Sequence, residues 1–233
     1  FFKDPEIFEA KVLEKLGLMP AEHSTQIVPR EPLVRLFSEV TIVMGILADL
    51  SDDMRHLQRT EIREVGEKFE KSQVGSSTMP QKRNPINFEN VKGMWKIVVP
   101  RMSTIFMDQL SEHQRDLTNS VSGRTYGEII AYTVSSAKRL VKTMRKLEVD
   151  HENMNRNFSL QKGLIIAEPL YIILAALGHP DAHEKVRKMT IQAQQEKRSL
   201  EEIAFEDDEL KEYLSKITPY QKKILSDPSL YVG

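Results

Sequence analysis

The chain has 233 residues, 40% hydrophobic and 29% charged, which is enough for one large domain or one and a half small ones and ordinary for a folded protein. Its net charge of −1 excludes a general polyanion binder, so no nucleic-acid partner is expected and any anion site must be local. Cysteine is absent, which excludes disulfides, thiolate catalysis and Cys-ligated zinc and suits a reducing compartment.

The opening FFKDPEIFEA has no initiator Met, no basic flank and no cleavage pattern, so the chain reads as a piece of a longer protein. A first long helix is expected from Glu31 to about Arg59, on the spacing of Leu33, Leu36, Phe37, Val40, Val43, Met44, Leu47, Leu50, Met54 and Leu57. A second is expected from Pro85 to about Leu110, through Phe88, Val91, Trp95, Val98, Met102, Ile105 and Phe106, with a kink at Pro100. A third runs from about Ser120 to Leu147, through Val121, Ile129, Ile130, Val134, Leu140, Val141 and Met144. Each has roughly 26 to 29 residues, or about 40 Å at 1.5 Å per residue. Stretches such as TIVMGILADL and KIVVPRM have little polar face, so these helices need covering on several sides, and other subunits are expected to complete the bundle.

From about Val149 the character changes. A short apolar helix is expected from about Glu168 to Leu177, and further short helices follow, the last with Thr218 as N-cap and Pro219 at the first helical position. Residues 1–148 therefore read as part of a long-helix domain and 149–233 as a small α-helical domain, with no strand expected. Uncharged runs such as PLYIILAALGHP reach about a dozen residues, short of the roughly 18 a membrane span needs.

The polar stretch VGSSTMPQKRNPINFEN, residues 74–90, interrupts this pattern. Asn84–Pro85 reads as an N-cap followed by proline at N1, which sets Lys82 and Arg83 beside a helix N-terminus whose free N–H groups favour an anion. A serine hydroxyl is a poor base unless its oxyanion is stabilised, and cations with backbone N–H groups can do that. A surface loop with a capping asparagine is the plain alternative. In HQRDLTNSVSGR, Arg115 precedes a turn, and Ser120 and Arg124 fall four apart at the start of the third helix, a spacing that shares one face. Two guanidiniums and a hydroxyl at a helix N-terminus suit a phosphate, although Arg115 could equally pair with Asp116.

GSSTMPQKRNP resembles the signature of the fumarase/aspartase superfamily, and STQIVPREPL, QRDLTNSVSGR and AEPL resemble its adenylosuccinate lyase family. The resemblance implies an all-α, long-helix bundle of the fumarase/aspartase type with a small C-terminal helical domain. It implies β-elimination of fumarate from adenylosuccinate, giving AMP, and from the succinyl-carboxamide ribotide of purine biosynthesis, with no cofactor and no metal. By resemblance Ser76 is the base, although the residues alone do not choose between it and Ser77, which would hydrogen-bond the substrate. Lys82 and Asn84 would bind succinyl carboxylates, with Asn90 on the substrate side and Gln26 a further contact. Arg115, Ser120 and Arg124 would bind the AMP phosphate.

The family's general-acid histidine belongs to an upstream motif absent from these 233 residues. The resemblance further implies a cytoplasmic homotetramer with each active site shared among three subunits, an inactive fragment when this segment stands alone, and a loop over residues 72–83 that closes on substrate. Sister lyases of the argininosuccinate or carboxymuconate type, and a non-catalytic helical assembly protein, are the competing readings. The phosphate set argues against the first, since a substrate without phosphate has no use for it. The intact Ser76, Lys82 and Asn84 argue against the second.

Overall fold

The computed structural model describes residues 3–22, 27–69, 79, 82–110 and 117–231. The chain divides into two compact units, Phe1–Val149 and Asp150–Gly233.

In the first unit a short helix α1 (Pro5–Lys15) precedes three long ones, α2 (Glu31–Leu57), α3 (Ile86–Gln109) and α4 (Tyr126–Met144). Successive contacts show that the long helices run antiparallel. Asp52 near the end of α2 pairs with Lys92 near the start of α3. Arg139 near the end of α4 reaches Asn87 at the start of α3 at 2.9 Å. Arg101 at the far end of α3 meets Glu128 at the start of α4 at 2.5 Å.

The buried positions follow alternating steps of three and four: 34, 37, 41, 44, 48 and 51 in α2, and 129, 133, 136, 140 and 143 in α4. That is the seam of a left-handed bundle, in which facing stripes interdigitate. Its centre holds Phe37, Met44, Val91, Val98, Met102, Ile105 and Ile129. At Gly45 an added Cβ would lie 3.3 Å from the Trp95 indole, so the absent side chain is what lets α2 and the ring meet.

The expected apolar series splits into two stripes on α2 and α4. The inner one includes the polar Thr41, Ser51, Thr133, Ser136 and Thr143, all buried. The outer one stays exposed within this chain: Leu36, Val43 and Ile46 on α2, and Ile130, Val134 and Val141 on α4.

Three expectations need correction. The third long helix begins at Tyr126, not Ser120, because residues 118–120 and 122–125 form 3₁₀ turns. A strand ladder exists, though a minimal one: β1 (Val65–Gly66) pairs antiparallel with β2 (Glu148–Val149). Its physical role is to tie the segment after α2 to the segment after α4. Finally, His151–Ala176 is long and apolar enough to cross a membrane by length and composition, against the expectation that no stretch reaches that length. It consists of two helices of the second unit, α5 (His151–Ile165) and α6 (Ala167–Ala176), which meet at Ile166. The more apolar of them buries Leu170, Ile173 and Leu174 in that unit's core.

The second unit continues with α7 (Ala182–Glu196), α8 (Leu200–Glu206), α9 (Lys211–Leu214) and α10 (Pro219–Ser226). Its core is separate from that of the first, formed by α6 packed on Val186, Met189, Leu200, Ile203, Leu210 and Leu225. Thr218 is the N-cap of α10 in a capping box with Gln221, and Pro219 opens the helix, as the residue types require.

Candidate active site

The residues singled out in the sequence fall at two ends of the first unit. At one end the polar stretch enters α3. Lys82 and Arg83 are exposed there, and Asn84 is half-buried. Asn84 is not the side-chain cap that its position before proline suggests. The helix starts one residue later, at Ile86, and neither Asn84 nor Pro85 caps it with a side chain.

The cap comes from Glu67, just beyond β1. Its Oε1 accepts the backbone N–H groups of Asn87 and Phe88 at 2.8 and 2.9 Å, and its Oε2 accepts Asn87 Nδ2 at 2.6 Å. Gln58, at the end of α2, braces the same corner. Its Oε1 accepts Glu67 N–H at 2.9 Å and its Nε2 donates to the Arg83 carbonyl at 3.3 Å. Two of the N–H groups expected to attract a substrate anion are therefore occupied by the protein's own carboxylate. What this end offers a ligand is the side chains of Lys82 and Asn84. Asn90 lies one turn on from Asn87, half-buried, with no side-chain partner among the described residues.

At the other end, past Gln109, the turns over 118–125 carry Ser120 and Arg124, both exposed. These turns are built on Asp108, which is buried near the end of α3. Its carbonyl accepts Asn119 Nδ2 at 2.7 Å, its Oδ1 accepts Ser122 Oγ at 2.8 Å, and its Oδ2 accepts the Tyr126 hydroxyl. Burial first, and then Asp108 itself, pushes the Tyr126 hydroxyl up to about 12, with Arg30 acting in the opposite sense. Because a 3₁₀ turn has three residues per turn, Ser120 and Arg124 do not share a face by the helical i, i+4 rule used to pair them. Both nevertheless belong to one exposed corner, and no described carboxylate is within ion-pair reach of Arg124.

The 24 residues of α3 separate the two ends, about 36 Å at 1.5 Å per residue. One copy of the chain thus places Lys82, Asn84 and Asn90 at one end of α3 and Ser120 and Arg124 past the other end. Ser76, Ser77, Gln26 and Arg115 lie outside the described residues, as does most of the 72–83 loop expected to close on substrate.

Comparison with known proteins bears on both ends. Residues 3–99 match a family described as "Lyase", and residues 111–222 match "Adenylosuccinate lyase C-terminal". The chain belongs to the adenylosuccinate lyase family. It is 39% identical over 231 residues to the adenylosuccinate lyase of Pyrococcus horikoshii, covering 97% of this chain and 50% of that protein. Against the adenylosuccinate lyase of Methanocaldococcus jannaschii the identity is 37% over 228 residues, 96% of this chain and 48% of the relative. The chain spans about half the length of the curated relatives it matches. Among solved structures, the 3-carboxy-cis,cis-muconate lactonizing enzyme of Pseudomonas putida superposes with a TM-score of 0.75 at 29% identity, over 96% of this chain and 50% of that one. The helical-bundle fold of this adenylosuccinate lyase family member is therefore that of the fumarase/aspartase lyases.

Proposed function

We propose that the chain forms part of an enzyme that eliminates fumarate from adenylosuccinate, giving AMP, and from the succinyl-carboxamide ribotide of purine biosynthesis. The observation that carries this reading is the presence in one chain of the GSSTMPQKRNP loop at one end of α3 and a cationic, hydroxyl-bearing turn at the other. The first supplies elimination chemistry and the second a phosphate site.

In this reading Ser76 removes the proton from Cβ, beside a carboxylate. The electron pair passes into that carboxylate as an enolate-like dianion, which then collapses with cleavage of the C–N bond. Lys82 and Asn84 hold the succinyl carboxylates and stabilise the added charge, Ser77 and Asn90 hydrogen-bond the substrate, and Gln26 is a further contact. The proton delivered to the departing nitrogen comes from a group outside the residues named here. Arg115, Ser120 and Arg124 hold the phosphate, a remote anchor whose binding energy orients the reacting end.

The length of α3 supports a composite site: about 36 Å exceeds the reach of a mononucleotide substrate, so in this reading Lys82 and Asn84 of one copy work with the phosphate turn of another. The exposed stripes through Leu36, Val43 and Ile46 and through Ile130, Val134 and Val141 are the surfaces on which copies pack, as a homotetramer in the cytoplasm. A sister reading, elimination or cycloisomerisation on a substrate without phosphate, has the muconate-enzyme likeness in its favour. Fumarate release by the full-length protein from adenylosuccinate, compared with fumarate release from argininosuccinate and with consumption of a carboxymuconate, separates the two. Turnover of adenylosuccinate, weakened in KM by Arg124→Ala, supports the proposal; turnover of a phosphate-free substrate that is indifferent to Arg124 refutes it.

A further inference from the structure

The turns over 118–125 bind nearly all of their own polar side chains. Asn119 Nδ2 donates to the Asp108 carbonyl at 2.7 Å, Ser122 Oγ to Asp108 Oδ1 at 2.8 Å, and the Tyr126 hydroxyl to Asp108 Oδ2. Thr125 Oγ1 donates to the Ser122 carbonyl at 2.8 Å, and Thr118 Oγ1 lies 3.5 Å from Asn119 Oδ1. Two side chains are left over. Ser120 and Arg124 are exposed and have no side-chain partner among the described residues.

Three of the bonds end on one residue. Asp108 is 6% exposed, near the end of α3, and its carbonyl is among the last four of that helix, which find no acceptor role within it. Asn119 supplies the missing donor, and each side-chain oxygen accepts a hydroxyl, as a buried polar group requires. The three ties bracket the two free side chains. Asn119 and Ser122 stand on either side of Ser120, and Ser122 and Tyr126 on either side of Arg124. Between them the backbone is closed by Ser120 N–H to the Leu117 carbonyl at 2.9 Å and Arg124 N–H to the Val121 carbonyl at 3.2 Å. Hydrogen bonds of 3₁₀ geometry are poorer than those of an α-helix, so the turns depend on these ties to α3 for their shape.

We propose that Asp108 is a positioning residue for the substrate's phosphate: through Asn119, Ser122 and Tyr126 it fixes Ser120 and Arg124 in the arrangement that receives the anion, without touching the substrate itself. The inference rests on the phosphate role given to this turn under the lyase reading. Ligands that must be ordered at the moment of binding lose affinity to that ordering. Loosening the ties therefore leaves Ser120 and Arg124 in place as residues but weakens their joint hold on a phosphate, and spares contacts to the rest of the nucleotide.

The test is calorimetric titration of the full-length protein with AMP and with adenosine, which lacks the phosphate, beside an assay of fumarate release from adenylosuccinate. The variants are Asp108→Ala, Asp108→Asn, Ser122→Ala, Arg124→Ala and Ser122→Ala/Arg124→Ala, with Ile173→Val in the core of the second unit as a control for lost stability. Asp108→Ala should weaken AMP about tenfold and adenosine by less than about twofold. Asp108→Asn keeps one oxygen for a hydroxyl and should fall between Asp108→Ala and the parent. Ser122→Ala, which carries the test if Asp108→Ala does not fold, should weaken AMP about fivefold in the parent but at most about twofold when Arg124 is already alanine, because the tie acts through the ligand that is gone. Ile173→Val should leave the preference for AMP over adenosine unchanged. Equal losses for AMP and adenosine, unchanged AMP affinity in the Asp108 and Ser122 variants, or a Ser122→Ala effect of the same size with and without Arg124 would overturn the proposal. A parent that binds AMP no better than adenosine would overturn it together with the phosphate role of the turn. A parent that prefers AMP but releases no fumarate would contradict the lyase reading alone.

Discussion

Glu67 grips Asn87 with both carboxylate oxygens, one on the backbone N–H at 2.8 Å and one on the side-chain amide at 2.6 Å. A residue 20 positions upstream thereby caps the helix that follows the signature loop. Capping by a side chain is worth about 0.5–2 kcal/mol. Glu67→Ala should lower unfolding stability by about that amount in a urea titration, whereas Glu39→Ala, an exposed carboxylate on α2, should change it by less than about 0.5 kcal/mol. Equal effects would mean that Glu67 is not the cap.

The bond between Tyr126 and Asp108 makes a prediction at high pH. The folded state holds the Tyr126 proton more tightly than the unfolded chain, with a pKa near 12 against the ordinary 10.0. Its contribution to stability is full below the unfolded value and is lost as pH rises from about 10 towards 12. Of the six tyrosines, Tyr126 should be among the last to ionise in an ultraviolet titration of the folded protein, and Tyr126→Phe should remove that step. The variant should also cost about 1–3 kcal/mol at neutral pH, because it leaves the buried Asp108 short of a donor.

Asp52 ties α2 to α3. The hydrogen bond from Lys92, opposed by partial burial and joined by Arg55 at 2.6 Å, holds its carboxyl below the ordinary range. A depressed folded pKa contributes stability above the unfolded value, which is lost as pH falls through the folded one. Asp52→Asn should therefore destabilise the protein at pH 7 by about 0.2–1 kcal/mol, the scale of a half-buried pair that solvent still reaches. Its deficit should shrink as the pH is taken below about 4. A deficit of constant size across that range would assign the effect to packing instead of charge.

Much of the architecture could be read from residue spacing, and the departures have local causes. The steps of three and four in Glu31–Leu57 set α2 to within two residues of its observed end. They did not reveal which of two apolar stripes faces inward, since the buried one includes Thr41 and Ser51. Ser51 answers its own helix, donating to the Leu47 carbonyl at 2.7 Å. The start of α4 was misplaced because TNSVSGRT is rich in residues whose hydroxyls compete for backbone groups. Ser122 donates to the Asn119 carbonyl at 3.1 Å and Thr125 to that of Ser122 at 2.8 Å, which sustains 3₁₀ turns in place of the helix. Asn84 beside Pro85 carried every local sign of a cap. Glu67 prevails because the β1–β2 ladder and Gln58 fix it beside the helix, a long-range arrangement that no window of sequence contains. Asp108 was likewise invisible, an acid in an apolar series whose partners come from the next turn.

The central claim of the proposal is that Ser76 and Arg124 act in one site from different copies, since α3, about 36 Å long, stands between Asn84 and Arg124 within one copy. The direct test mixes two full-length variants. Ser76→Ala alone should cut kcat severely with little change in substrate binding, and Arg124→Ala should weaken binding roughly ten- to a hundredfold. When the two variants are assembled together in equal amounts, fumarate release from adenylosuccinate should return to about a quarter of the wild-type rate at subsaturating substrate, the share of sites that draw both intact groups by random assembly of copies. Mixed oligomers no more active than the average of the two separate variants would place both groups in one subunit and contradict the account.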